Sequence, residues 1–179
     1  YNAAPNPYDL AFLARACYGG VIRFSKIGAM NTPCGPHRPV SPESFAKRID
    51  GWRPRLQGVA FKHRDFEVTV NEAQGGDLVY CDPPYSDSEA TLYGAQSFSL
   101  PRLLDAIGRA KRRGARVALS IDGTKRSGKK KIPMPLPPGL FETAVMVNCG
   151  RSMLRRFQME GQTLEDEIVA DRLLLTWAR

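Results

Sequence analysis

The chain has 179 residues, a length typical of one domain, and its 42% hydrophobic and 25% charged residues match the average globular protein. This composition excludes wholesale disorder, and no apolar run approaches the ~20 residues of a membrane span, so no membrane partner is expected. The 26 lysines and arginines exceed the 18 aspartates and glutamates, giving a formal charge of +8. Such an excess favours a polyanionic partner such as nucleic acid, although a solvated basic surface has the same composition.

The first part of the chain predicts short elements separated by irregular segments. The elements are a helix over 8–17, a strand over 21–24, a helix over 42–50 and a strand over 59–61. Gly19 and Gly20 end the first helix. Ser41 followed by Pro42 is a typical helix start, because proline tolerates the first helical position.

From residue 76 onward the pattern changes to strands around one helix. The predicted elements are a strand over 78–81, a helix over 100–113, and strands over 117–121, 141–147 and 172–177. The continuous apolar run of the first strand is typical of burial on both faces. The order strand, helix, strand predicts a right-handed parallel crossover, and the last two strands predict a hairpin. The sequence therefore predicts an open α/β sheet over 76–179, within a domain over 59–179. A more irregular, partly helical segment over 1–58 precedes this domain.

The four cysteines are scattered, with no CxxC or CxxH pair. They are Cys17, Cys34, Cys81 and Cys149. This pattern predicts free thiols in a reducing, cytoplasmic environment and argues against a zinc site or a disulfide framework. We therefore expect a cytoplasmic protein without a metal site.

The motif Asp82-Pro83-Pro84-Tyr85 directly follows the predicted strand 78–81. Ligands of open α/β sheets bind at the carboxyl ends of the strands, so the motif lies where a site is expected. A lone Asp-Pro-Pro is usually a turn, but its place after a buried strand in a basic chain favours function.

The chemistry of the motif suits a planar ring that carries an exocyclic amine. The amine would donate to the Asp82 carboxylate and to the Pro83 carbonyl, while the ring stacks on Tyr85. Pro84 keeps the corner stiff. Two acceptors orient the nitrogen lone pair for attack on a methyl group and stabilise the developing positive charge. A duplex base would have to flip out of its stack to reach such a pocket.

Two segments resemble the Dam-like bacterial adenine-N6 DNA methyltransferases. Residues 76–85 (GDLVYCDPPY) resemble the catalytic segment of this family. Residues 18–24 (YGGVIRF) and 28–35 (GAMNTPCG) are similar to the part that contacts DNA. The resemblance implies a Rossmann-like methyltransferase fold, S-adenosylmethionine as the methyl donor, and a flipped adenine in duplex DNA as the acceptor. It also implies a bacterial or phage-encoded protein.

The resemblance also implies roles for individual residues. Asp82 to Tyr85 would form the catalytic pocket, and Asp65 and Phe66, together with Asp82, would contact the donor. Residues expected near DNA are Tyr18, Arg23 and Asn31. Plain structural roles stay open for these positions: a loop aspartate and a core phenylalanine at 65–66, packing for Tyr18, a surface charge for Arg23 and a turn for Asn31.

A basic cluster around Ser127 and Gly128 predicts a mobile loop. Its members are Lys125, Arg126, Lys129, Lys130 and Lys131. Such loops often follow a phosphate backbone, so we expect DNA contacts here, with a merely solvated loop as the alternative.

One feature of the family is missing from this sequence. Dam-like enzymes carry a Phe-x-Gly-x-Gly loop around the donor's methionine moiety, upstream of the DNA-contacting segment, and this chain has none. We expect this loop, with the first strand and helix of the sheet, to precede Tyr1 or to be supplied by a second chain. Met30 replaces the usual phenylalanine, and Cys34 replaces a family aromatic, which leaves the target preference open.

Other functions remain compatible with the sequence. Cytosine-N4 and protein glutamine-N methyltransferases usually carry Ser or Asn at the first motif position, so Asp82 favours adenine. The missing glycine loop also fits a nucleic-acid-binding module without catalysis, or a subunit completed by another chain.

Overall fold

The computed structural model describes residues 1–25, 27–84, 98–125, 130–131, 134–151 and 168–178. Among them, Tyr1–His63 forms one compact unit, and the residues from Arg64 onward form a second. The domain boundary that the sequence predicts after residue 58 stays a prediction. No helix in these ranges is long and apolar enough to cross a bilayer.

The first unit contains two helices and two short 3-10 turns. They are α1 (Pro7–Ala16), a turn at Tyr18–Gly20, α2 (Pro42–Trp52) and a turn at Arg53–Leu56. Each helix begins after a polar cap: Asn6 accepts from the backbone N–H of Asp9, and Ser41 accepts from that of Ser44. A capping side chain satisfies an N–H group that has no partner within the helix. Both helices predicted for this part of the chain are confirmed.

The two strands predicted for the first unit are wrong. Within residues 21–24, Phe24 forms an isolated bridge with Met30, and the N–H of Arg23 donates to Thr32 Oγ1 instead of to the carbonyl of a partner strand. At the second position, the N–H of Val59 donates to the carbonyl of Leu56 and closes a turn. β-branched residues favour strands only where a neighbouring strand offers packing and a ladder.

The second unit is a mixed sheet with two helices. Its elements are α3 (Phe66–Glu72), β1 (Leu78–Cys81), α4 (Leu100–Arg112), β2 (Arg116–Lys125), β3 (Lys130–Lys131), β4 (Thr143–Arg151) and β5 (Ile168–Leu175). The strand order is β1-β2-β5-β4, and β3 pairs with β2. β1 and β2 are parallel, whereas β5 pairs antiparallel with both β2 and β4. The predicted α/β class, the parallel crossover through α4 and the antiparallel last pair are confirmed.

The core of the second unit lies between α4 and the sheet. Leu103 and Ile107 of α4 are buried in the same apolar cluster as Val117, Leu119 and Ile121 of β2. These positions recur at helical spacing on α4 and at alternating spacing on β2, so each element turns one apolar face to the other. At the far end of α4, Gly114 has a φ of 88°, which suits a glycine that ends a helix.

β1 is not buried on both faces as the sequence predicts. Cys81 is buried and Val79 packs against the core, but Leu78 is 66% exposed and Tyr80 is 62% exposed. Successive side chains of a strand point to opposite faces, so only one face of β1 is covered. Among the described residues, β1 also lies at the end of the strand order.

Candidate functional site

The amino ends of α3 and α4 lie at the carboxyl end of β1. The two helices run in the same direction, because Arg102 at the start of α4 contacts Glu67 at the start of α3, and Arg113 beyond α4 donates to the carbonyls of Val70 and Ala73 at the end of α3. Since α4 connects the parallel strands β1 and β2, its amino end lies at the carboxyl edge of the sheet. Asp65, which precedes α3, therefore lies at the same edge as Asp82.

Asp82 follows the buried end of β1 and is itself exposed. Cys81 before it is only 8% exposed, and burial raises the pKa of its thiol to about 11. Pro83 and Pro84 are half-buried, so the corner is held against the protein while the Asp82 carboxylate faces solvent. Tyr85 lies outside the described residues, and its stacking role stays a prediction.

Asp65 and Phe66 place an acceptor beside an aromatic ring. Asp65 caps α3: its Oδ1 accepts from the backbone N–H of Glu67 at 2.9 Å. The ring of Phe66 is half-buried, with the ring of Phe98 at 5.8 Å and the guanidinium of Arg102 at 5.2 Å from its centre. Asp65 thus caps a helix and Phe66 packs against the core, while their contact with a donor stays a prediction. The Asp65 side chain keeps 46% of its surface exposed.

Glu67 links α3 to α4 through two arginines. One carboxylate oxygen accepts from Arg102 Nη2 at 2.7 Å, and the other accepts from Arg109. The hydrogen bond from Arg102 is the largest influence that lowers the pKa of Glu67. Arg109 also donates to Asn71 Oδ1 at 3.1 Å. These charge-assisted bonds fix the short helix α3 against α4.

The three residues expected near DNA lie in one loop region of the first unit. Arg23 Nε donates to Asn31 Oδ1 at 3.0 Å, and the Arg23 carbonyl accepts from the N–H of Asn31 at 3.0 Å. Tyr18 is 42% exposed, and its backbone N–H donates to the carbonyl of Pro33. The neighbouring residues Cys17 and Cys34 pair through their backbones in an isolated antiparallel β-bridge. The structure thus brings Arg23 and Asn31 into direct contact.

The basic cluster begins and ends in strands. Lys125 is the last residue of β2 and pairs with Lys130 of β3, and Thr124 pairs with Lys131. Lys130 and Lys131 therefore belong to a short antiparallel hairpin, which corrects the prediction that they lie in a loop. Arg126 and Lys129 lie outside the described residues.

A family model describes most of this chain. The D12 class N6 adenine-specific DNA methyltransferase model matches residues 3–127. The chain belongs to this family. The match includes both motif segments, residues 18–35 and 76–85, and ends before Lys129.

Several DNA adenine methyltransferases are similar to this chain at about the same level. A DNA adenine methylase of Serratia marcescens is 31% identical over 109 residues, which are 56% of this chain and 39% of that protein. A DNA N-6-adenine-methyltransferase of Escherichia phage P1 is 31% identical over 120 residues, 63% of this chain and 16% of that protein. A DNA adenine methylase of Vibrio cholerae is 31% identical over 127 residues, 65% of this chain and 45% of that protein. The chain thus spans less than half the length of these relatives.

Sequence reasoning missed the two arginines that hold the start of α3. Arg102 and Arg109 are seven residues apart, so they share one face of α4. Glu67 follows Asp65 by two residues and lies in the first turn of α3, a helix that the sequence did not predict. A search for charges of opposite sign on these two segments could have found the pair, but not which helix faces pack together.

Proposed function

We propose that this chain is part of a DNA adenine-N6 methyltransferase that uses S-adenosylmethionine and acts on an adenine flipped out of duplex DNA. The observation that carries the proposal is the position of Asp82. It is exposed directly after the buried end of a parallel strand, in a chain that belongs to the D12 class N6 adenine-specific family. Ligand sites of α/β sheets occur at this position.

The acceptor chemistry follows from Asp82 and Pro83. The Asp82 carboxylate and the Pro83 carbonyl accept the two hydrogens of N6, which turns the nitrogen lone pair toward the methyl group. The N–C bond would form as the S–CH3 bond of the donor breaks, and S-adenosylhomocysteine would leave as a neutral thioether. Positive charge would grow on N6, where the nearby carboxylate stabilises it, and the nitrogen would then release one proton to solvent to give the neutral product. Tyr85 would stack on the flipped base.

The residues at the carboxyl edge of β1 fit a nucleoside-containing donor. The carboxylate of Asp65 is partly exposed beside the half-buried ring of Phe66, a set that offers an acceptor and an apolar face to an adenine ring. Asp65 and Phe66 would hold the donor, with Asp82 between it and the acceptor. S-adenosylmethionine supplies an electrophilic methyl group on a sulfonium centre.

DNA contacts would come from both units. In the first unit, Tyr18, Arg23 and Asn31 would lie near the duplex, and in the second the basic hairpin around Lys125 and Lys130 would contact phosphates. The formal charge of +8 supports this proposal, because phosphate contacts supply most of the affinity of a protein for DNA.

A second candidate is a nucleic-acid-binding chain that becomes catalytic only with another polypeptide. It is favoured by the exposed face of β1, where Leu78 and Tyr80 lie open to solvent. Parallel strands are usually covered on both faces, so a further segment or a second chain would complete this side of the sheet. Cytosine-N4 methylation is the remaining alternative, against which the aspartate at position 82 argues.

The test is transfer of labelled methyl groups to duplex oligonucleotides, followed by identification of the methylated nucleoside. N6-methyladenine is the expected product. Detection of N4-methylcytosine instead would show that the acceptor is cytosine and would refute the assignment to adenine. Asp82→Ala should abolish transfer and leave DNA affinity largely unchanged. Asp105→Ala removes an exposed carboxylate of α4 and is the matched control. Full turnover by Asp82→Ala would refute the proposed pocket, and an inactive chain that still binds DNA would favour the second candidate.

A further inference from the structure

Arg102 contacts both residues of the Asp65–Phe66 pair. Its Nη2 donates to Asp65 Oδ1 at 3.2 Å, and its guanidinium carbon lies 5.2 Å from the centre of the Phe66 ring. The same guanidinium donates to Glu67 Oε2 through Nε and Nη2. Arg102 thus spans the amino end of α3 from the first turn of α4.

These contacts restrict the orientation of the two side chains that the donor would meet. A carboxylate rotates about a broad terminal torsion unless hydrogen bonds hold it. Asp65 Oδ1 accepts from both the N–H of Glu67 and Arg102, so two hydrogen bonds fix this oxygen and with it the orientation of the carboxylate. The ring of Phe66 contacts both the Phe98 ring and the Arg102 guanidinium, which limits its rotation.

We propose that Arg102 is a positioning residue for the methyl donor: it orients the Asp65 carboxylate and the Phe66 ring for the donor's adenine. This inference rests on the proposed function, because it takes the Asp65–Phe66 pair as the donor site. Arginine suits the role, since its planar fork can reach two carboxylates while its flat face lies on a ring. A lysine would keep the charge but lose this geometry.

Arg109 provides a matched control on the same helix. It lies seven residues after Arg102 and also binds Glu67, but its second contact is Asn71, not Asp65 or Phe66. Both arginines therefore fasten α3 to α4 through the same carboxylate. The two arginines differ in that Arg102 also contacts Asp65 and Phe66.

The experiment measures the dissociation constant of S-adenosylmethionine by titration calorimetry, with thermal unfolding and DNA affinity measured on the same samples. Arg102→Met should weaken donor binding on the order of tenfold, as loss of a group that orients a binding residue typically does. The dissociation constant of Arg102→Lys should lie between those of Arg102→Met and the unaltered chain. The dissociation constant of Arg109→Met should stay within about twofold of that of the unaltered chain. Both methionine variants should lower the melting temperature to a similar extent and leave DNA affinity unchanged.

Two further variants separate this inference from the proposed function. Asp65→Asn and Phe66→Ala test the donor site itself: if neither weakens donor binding, or if the unaltered chain binds no donor, the donor assignment fails and the inference fails with it. If these two variants weaken binding and Arg102→Met does not, only the positioning role is overturned. If Arg109→Met weakens binding as much as Arg102→Met, Arg102 acts merely by holding α3 in place, which also overturns it.

Discussion

Replacing Gly123 by alanine should force β2 and β5 apart. A Cβ atom at this position would lie 2.5 Å from the Ala170 carbonyl oxygen, 2.6 Å from Met146 Cε and 2.9 Å from the Asp171 carbonyl carbon. The end of a methionine side chain can rotate away, but the backbone of a paired strand cannot move without stretching its ladder. The β2–β5 register already shifts between Asp122 and Thr124, so Gly123 lies at a bulge that needs a residue without a side chain.

The expected loss of stability follows from these contacts. Overpacking a filled site costs about 1–3 kcal/mol, and weakening one ladder hydrogen bond adds about 0.5–1.5 kcal/mol. We therefore expect Gly123→Ala to lower the free energy of unfolding by about 1.5–4.5 kcal/mol, a large part of the ~5–15 kcal/mol of a typical domain. Urea unfolding followed by far-UV circular dichroism measures the change.

Gly108→Ala is the control, and it should change the free energy of unfolding in the opposite direction. Gly108 lies within α4, and an added Cβ there would meet Arg112 and Leu140 at 3.7 Å, an ordinary contact distance. Alanine in a helix interior is favoured over glycine by about 0.5–1 kcal/mol, so this variant should be more stable. A Gly123→Ala chain as stable as the unaltered one, beside a stabilised Gly108→Ala chain, would refute the packing argument.

Two further predictions concern charge. The pKa of Glu67 is lowered below its ordinary value of 4.5, so the stabilisation by its arginine partners is fully present above about pH 4.5 and is lost as the pH falls through the lowered pKa. Glu67→Gln should therefore reduce the fall in melting temperature as the pH drops below about 4.5. An unchanged fall would contradict the role of the ionised Glu67 carboxylate in stability. Lys130→Gln with Lys131→Gln should reduce the salt slope of DNA binding by about 2, measured by fluorescence anisotropy. Lys111→Gln is the control, since its ammonium already pairs with Glu142, and an equal drop in slope for this control would count against a DNA-contacting hairpin.

The sequence predicts those elements whose signal is local. Apolar spacing is enough to locate α4, and Ser41 with Pro42 locates α2. The family motif at Asp82 is likewise local, because a strand and four successive residues carry it. The sheet class follows from the order of such elements along the chain.

Features that depend on distant partners could not be predicted in this way. An apolar run such as Leu78–Cys81 is equally compatible with a strand covered on one face or on two, and only the packing around it decides. Val59 has a side chain typical of strands, but no partner strand is available, so its N–H closes a turn. The contact of Arg102 with Asp65 joins residues 37 positions apart, which no local pattern encodes.

The open side of β1 has a consequence for handling the purified polypeptide. Leu78 and Tyr80 expose apolar side chains on this outermost strand of the described sheet. Exposed apolar edge strands tend to pair with strands of neighbouring copies. The surplus of positive charge opposes that encounter through mutual repulsion, and dissolved ions weaken the repulsion. Concentrated samples should therefore stay monodisperse longest at low ionic strength and aggregate as salt is added.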